Sequence, residues 1–386
     1  MTTHPSYKIP WIAYACLFAS GAASLGYELI WFRHLALVFG ASLYALSAVL
    51  CAFMMGLAAG AWVMGRVLAR VEIAPDKLIR GYGLLEGLIG LYALCFPFGL
   101  DLLEKLYPLI LPESGQVDFG VHMLEFFLST LLMFPATLLM GATLPLVGCW
   151  ATNNQTQQVF TQVSRLYGVN TFGAVFGCLF TQFFAIRLLG VQGSTWFAVG
   201  LNAVVFMLCY GRPRIFAAVD SSSIQIEAKP VKRKQDTIVS PAIVVLVFAM
   251  FAYSGMASLS SQILWTRILV FPLGSTLYSF ALILSTFLLG IAIGSLAANK
   301  LLGRSHQVLK FVGIEIAIGV FCIAILPVLG NLTEWTALAD GYFYSLEPSA
   351  AGKTFLIRSL FAFGLMFLPT FGFGLLFPLA NHIYSY

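Results

Sequence analysis

Hydrophobic residues run along this chain in long blocks, and polar residues gather in the gaps between them. Ten blocks are read: Trp11–Phe32, Leu43–Met64, Gly81–Leu100, Leu124–Trp150, Leu166–Ile186, Ser194–Tyr210, Pro241–Leu264, Leu277–Ala298, Phe311–Leu329 and Phe355–Tyr384. A helix of about 20 apolar residues crosses a hydrocarbon core of about 30 Å. The alternating ten-residue segments of a membrane β-barrel are missing from the sequence. The expectation is an all-α, polytopic membrane protein of about ten transmembrane helices.

The pattern also returns. "SGAASLGYELIWFRHLALVFGASLY", from Ser20 to Tyr44, comes back as "SGMASLSSQILWTRILVFPLGSTLY", from Ser254 to Tyr278, at a constant shift of 234 positions. Under that shift Gly21 meets Gly255, Glu28 meets Gln262, Trp31 meets Trp265, Arg33 meets Arg267, Gly40 meets Gly274, Gly56 meets Gly290 and Gly60 meets Gly294. After a loop five residues shorter, Leu84–Gly90 meets Gly313–Gly319 and places Glu86 on Glu315. "PATLLMGATLP" (Pro135–Pro145) is answered by "PTFGFGLLFP" (Pro369–Pro378). This reads as an internal duplication of four helices. Six blocks precede the second copy, an even number, so both copies are expected to cross the bilayer in the same sense. Such a parallel repeat, with its axis along the membrane normal, is the relation between the halves of major facilitator transporters. The expected organisation is a six-helix half (1–211), a cytoplasmic linker (212–240) and a four-helix second half (241–386) that is two helices short.

Charge adds an orientation. Arg66, Arg70, Lys77 and Arg80 follow the second block, Arg212, Arg214, Lys229, Lys232, Arg233 and Lys234 the sixth, and Lys300, Arg304 and Lys310 the eighth. The gaps after the third and ninth blocks are acidic instead, with Asp101, Glu104, Glu113 and Asp118, then Glu334, Asp340 and Glu347. Basic loops stay on the cytoplasmic side. A multi-pass protein of the inner membrane is expected, with both termini cytoplasmic. Val219–Val239 is the one long polar stretch and reads as a solvated linker.

Composition agrees with the pattern and excludes other classes. The chain is 60% hydrophobic and 10% charged, with a mean hydropathy of +0.90, whereas soluble domains carry about a quarter charged residues. The net charge of +5 sits in loops, where it reports topology and not nucleic acid. All seven cysteines fall in apolar blocks, without a CxxC pair, and read as small buried hydrophobes. The five histidines form no cluster in sequence, although His122 and Glu125 stand one helical turn apart. No metal and no cofactor is expected.

Several motifs carry a family likeness: "SGAASLGYELIWFRHL…FGASLYA", "FMMGLAAGAWVMGRVLAR", "LLEGLIGLYAL", "PATLLMGATLPL" and "RLYGVNTFGAVFG", the last containing Tyr167, Asn170, Thr171, Gly173, Ala174 and Gly177. Together they resemble the membrane domain of the fused major-facilitator/spermidine synthase-like proteins, over essentially the whole chain. The resemblance implies association with a cytoplasmic aminopropyltransferase-like domain, which binds decarboxylated S-adenosylmethionine through a glycine-rich loop. No strand–glycine loop–helix unit of that kind occurs in this sequence. The chain itself is therefore expected not to be an enzyme, the activity being supplied by a longer product or by a partner.

Five residues are candidates for binding or gating. Glu28, and Gln262 at the equivalent place, lie within apolar blocks, where an ionisable group is expensive and marks a functional position; for Glu28 a bond to a neighbouring helix is the competing reading. Glu86 and Glu315 each follow a basic loop, so each is expected near the cytoplasmic boundary. There they would close a charge clasp with Arg66 or Arg70, and with Lys300 or Arg304, either as a gate or as a static pair. Asn170 reads as helix glue or as cavity lining. Trp31 with Arg33, and Trp265 with Arg267, read as interfacial anchors. Two functions follow. The first is a transporter-like membrane domain that handles or senses a small amine or related metabolite. The alternative is a non-transporting scaffold that anchors an enzyme or a larger membrane complex. A polar cavity between the halves favours the first, and a dry, filled seam the second.

Overall fold

The computed structural model describes residues 9–40, 43–110, 119–152, 159–216, 241–274, 277–302, 307–346 and 351–384. Among them the structure is helical, without a strand: α1 (Trp11–Phe39), α2 (Leu43–Arg70), α3 (Pro75–Ile110), α4 (Phe119–Thr152), α5 (Val159–Phe180), α6 (Ile186–Gly211), α7 (Pro241–Leu273), α8 (Leu277–Leu301), α9 (Gln307–Ala324), α10 (Leu326–Gly330), α11 (Leu332–Leu346) and α12 (Ala351–Tyr384). Among the described residues, eight helical stretches are long and apolar enough to cross a membrane. Their outward faces are greasy, as lipid requires: Leu37, Phe98, Leu109 and Leu131 are each at least three-quarters exposed. The linker Val219–Val239, with Glu113, Asp118, Arg304 and Glu347, lies outside the described residues.

The helices outrun the expected spans. α3 has 36 residues and α4 and α12 have 34 each, about 50 Å at 1.5 Å per residue. Asp101 and Glu104, expected in a loop, lie instead on the last turns of α3 and are exposed. The apolar run Phe311–Leu329 divides differently. Pro327 lacks a backbone N–H and opens a new helix, so α9 stops at Ala324 and α10 begins at Leu326.

Between α5 and α6 a five-residue π-turn (Thr181–Ala185) is followed by Gly190 at φ 73°. A single 50-residue apolar stretch thereby doubles back. The neighbours fix the directions. Gly173 abuts Phe18, and Gly177 abuts Ala22, so α5 runs along α1. Tyr27 meets Asn202 while Cys16 meets Cys209, so α6 runs against it. α3 also opposes α6, through Gly83 at Tyr210, Gly87 at Phe206 and Gly90 at Asn202. α4 opposes α3, since Gly81 touches Leu146 and Tyr107 reaches Glu125. α2 lies parallel to α4. The first six helices therefore alternate in direction.

α5 also faces the second half. Gly168 meets Leu296, Cys178 meets Ala281 and Phe183 meets Tyr278, so α8 opposes α5 and shares the direction of α2. The α2–α4 contact and the α8–α12 contact match in detail. A Cβ on Gly56 would strike the Thr137 hydroxyl, and one on Gly290 the Thr370 hydroxyl. Gly60 sits on the Leu138 carbonyl and Gly294 on that of Phe371, while Gly141 sits on Leu57 and Gly374 on Ile291. Thr137 returns its hydroxyl to Met133 at 2.9 Å, and Thr370 to Met366 at 2.9 Å. These pairs put Thr370 opposite Thr137 and Pro378 opposite Pro145, a shift of 233. Pro369 thus corresponds to Ala136, not to Pro135 as the aligned motifs suggest.

Candidate functional site

Two apolar clusters fill the first half, one around Trp31, Phe53 and Phe96 and the other around Leu17, Tyr82 and Trp150. Between α1, α3 and α6 runs a line of buried polar groups: Ser20, Tyr27, Glu86 and Asn202, none more than 4% exposed. The Ser20 hydroxyl donates to Glu86 Oε1 at 2.5 Å. The Asn202 amide nitrogen donates to Glu86 Oε2 at 2.6 Å, and the Tyr27 hydroxyl donates to the Asn202 amide oxygen at 2.7 Å. The amide can point only one way, because its oxygen must receive Tyr27 and its nitrogen must give to Glu86. One turn before Glu86, Tyr82 donates to the Cys16 carbonyl at 3.3 Å. Both carboxylate oxygens thus receive neutral donors, one from α1 and one from α6.

Arg66 and Arg70 do not join this network. Arg66 lies 3.9 Å over the Trp62 ring, and both arginines are exposed at the end of α2. The carboxylate expected to clasp them is completely buried instead, facing α1 and α6. In the second half, Glu315 Oε1 is a buried atom without a hydrogen-bond partner. Lys300 is exposed, and Lys310 donates to the Leu302 carbonyl across the α8–α9 connection.

Glu28 is 2% exposed, and its Oε2 has no partner. It borders a cavity of about 10 Å³ shared with Phe32, Val49, Leu50 and Phe280, between α1, α2 and α8. That is the lower limit for one water. Gln262 is equally buried, with an unpartnered Nε2. Asn170 is half-buried, and its carbonyl lies against Gly21, which makes its main chain part of the α1–α5 contact. These candidates do not converge on one chamber.

The seam between the halves is filled: Leu29 of α1, Cys178 of α5 and Phe280, Ala281 and Leu284 of α8 close it, with the Phe32 and Phe280 rings tilted against each other at 4.7 Å. A groove of about 360 Å³ lies between α3 and α6 and is lined by Leu84, Leu88, Leu91, Val199 and Phe206, a surface suited to lipid chains.

Trp31 is no interfacial anchor. It is 1% exposed and stacks on Phe96 at 4.5 Å and Tyr27 at 5.3 Å, and Trp265 is 5% exposed in the second core. Burying the whole ring against neighbouring helices removes more surface from lipid than a headgroup position does. His122 and Glu125, one turn apart on α4, are joined by a hydrogen bond of 3.0 Å, and Tyr107 donates to the other Glu125 oxygen at 3.0 Å. Tyr44 stacks on the His122 ring at 4.5 Å. Ser20, Tyr27 and Asn202 were not among the sequence candidates. Asn202 was the findable one, a lone amide within "VGLNAVVF".

Compared with known proteins, the chain matches no protein-family model and no curated protein.

Proposed function

We propose that this chain is a membrane scaffold of transporter-like architecture, built to hold a cytoplasmic enzyme or other membrane subunits rather than to conduct a solute. The observation that carries the reading is the filled seam: Leu29, Cys178, Phe280, Ala281 and Leu284 pack where a substrate path between the halves would run. A second support comes from the residues of the family resemblance. Gly173 and Gly177 press α5 onto α1, and Thr171 bonds back to the Tyr167 carbonyl at 2.8 Å. The residues that carry the likeness serve helix packing. On that resemblance, the enzyme held is spermidine synthase-like and the chain itself performs no aminopropyl transfer.

The architecture belongs to the same proposal. Reading the stretch 162–211 as two crossings and counting α7 as another gives ten. The matched α2–α4 and α8–α12 contacts, and the common direction of α2 and α8, support a parallel repeat of the major facilitator kind in the inner membrane, with cytoplasmic termini. A transport reading is favoured by one feature, the unpartnered Glu28 oxygen beside the seam. Uptake of labelled putrescine and spermidine into proteoliposomes, under proton and sodium gradients, separates the two. Uptake equal to that of protein-free vesicles is expected. Saturable uptake abolished by Glu28→Gln would establish transport and overturn the scaffold.

A further inference from the structure

The groove between α3 and α6 has a definite length, width and charge. Small residues, Gly87, Gly90 and Ala203, leave the space open, and Leu84, Leu88 and Leu91 border it, each 40% or more exposed. The lining residues of α3 run from Leu84 to Leu94, about 15 Å at 1.5 Å per residue. That is half of a hydrocarbon core of about 30 Å, the depth of one leaflet. A volume of about 360 Å³ over that length leaves a cross-section of about 25 Å², roughly a quarter of what a helix about 10–12 Å across needs. The width admits a hydrocarbon chain and not another helix.

One end of the groove is basic. Arg80 stands one turn before Leu84, on the same side of α3. α6 runs against α3, with Tyr210 at Gly83, so its C-terminal end lies beside Arg80. There the chain adds Arg212 and then Arg214, the latter in the 3-10 turn Pro213–Phe216. Phe216 is buried in one cluster with Leu78, Ile79 and Tyr82, which holds that turn against the start of α3. Arg80, Arg212 and Arg214 are exposed, and among the described residues none of them is in an ion pair. Glu72 and Asp76 are exposed in the same region, and with Lys77 the cations outnumber them four to two.

We infer that this groove binds an anionic glycerophospholipid of the adjoining leaflet. One acyl chain lies between α3 and α6, and the phosphate sits among Arg80, Arg212 and Arg214. A guanidinium meets phosphate oxygens with paired N–H donors, and basic pockets between membrane helices recognise anionic headgroups. A zwitterionic lipid would bring its own cation into the cluster, so the site discriminates by charge. The inference goes beyond the scaffold reading and holds equally for a transporter of the same fold.

Native mass spectrometry of the full chain, purified and stripped of lipid in detergent, tests it. The two added lipids have identical chains, dioleoyl phosphatidylglycerol and dioleoyl phosphatidylcholine. One phosphatidylglycerol should be retained about tenfold better than phosphatidylcholine. Arg80→Gln should weaken that preference, and Arg80→Gln/Arg212→Gln/Arg214→Gln should bring the two lipids level. Arg66→Gln/Arg165→Gln/Lys300→Gln removes the same charge from exposed positions on α2, α5 and α8 and should leave the preference intact. Ala203→Phe fills the groove without touching a charge, and should lower retention of phosphatidylglycerol about as far as the loss of the three groove arginines does. Equal retention of both lipids by the unaltered chain would overturn the inference. So would a preference lost equally in both triple variants, or retention indifferent to Ala203→Phe.

Discussion

Glu86 has no countercharge, so its stability rests on two neutral donors. A hydrogen bond to a charged group contributes about 1.5–3 kcal/mol, and an orphaned buried group costs about 1–3 kcal/mol. Asn202→Leu removes one donor from the carboxylate and the acceptor of Tyr27 together. It should lower the thermal midpoint in detergent more than Glu86→Gln, in which the Ser20 hydroxyl can turn round and accept. Removing both partners in Glu86→Leu/Asn202→Leu should cost less than the sum of the single changes, by about 1 kcal/mol or more. Additive losses would mean that the groups do not act as a unit. The sequence made Glu86 visible, because a carboxylate in an apolar run stands out. It hid the partners, which lie 66 and 116 residues away at no characteristic spacing. In this structure Glu86 bonds Ser20 and Asn202 and not Arg66, for a related reason. Nearness of a basic loop in sequence says nothing about which face of α3 Glu86 occupies.

At the scale of the helix pair, close approach decides which substitutions are tolerated. Gly56 and Gly290 each admit a threonine hydroxyl where a Cβ would stand. Gly56→Leu and Gly290→Leu should therefore both abolish monodisperse protein in size-exclusion chromatography, and Gly200→Leu, which faces open space, should not. Gly40 and Gly274 test a different term. Both stand at the ends of their helices with positive φ, 87° and 86°, and neither has a neighbour within 4 Å. At ψ 157° Gly40 occupies a region essentially closed to other residues. Gly40→Ala should cost about 1–3 kcal/mol by backbone strain alone, read as a lower thermal midpoint without any change in packing variants nearby. The recurrence of these glycines was legible because each is required by a backbone contact or a backbone angle. The extra turns of α3 and α4 were not, since a helix leaving the hydrocarbon core keeps its hydrogen bonds while its hydropathy falls. The shift from 234 to 233 in α12 was also hidden. Pro135 and Pro369 each open their motif, and only the Thr370–Gly290 contact gives the register.

For the whole molecule, everything about the relation of the halves depends on Gly190. If the stretch from 162 to 211 crossed the membrane once, five helices would precede α7 and the second copy would be inverted. The chain doubles back because Gly190 adopts φ 73°, and α6 then returns along α1 and α3. In the proposed architecture, six crossings make the copies parallel. That count has a direct consequence for topology. Lys77, in the first turn of α3, and Lys300, at the end of α8, should lie on one side of the membrane, with Arg214 after α6. Glu334 on α11 and Asp101 on α3 should lie on the other. All five are exposed, so each can be replaced singly by cysteine and probed with a maleimide that does not cross membranes. The buried native thiols of Cys16, Cys178 and Cys209 should stay silent, whereas Cys51 and Cys95 are exposed and need replacing first. In intact cells the label should reach Glu334→Cys and Asp101→Cys, and reach Lys77→Cys, Lys300→Cys and Arg214→Cys only after the membrane is opened. The basic loops then face the cytoplasm, as their charge demands. Labelling of Lys77→Cys and Lys300→Cys from opposite sides would make the repeat inverted.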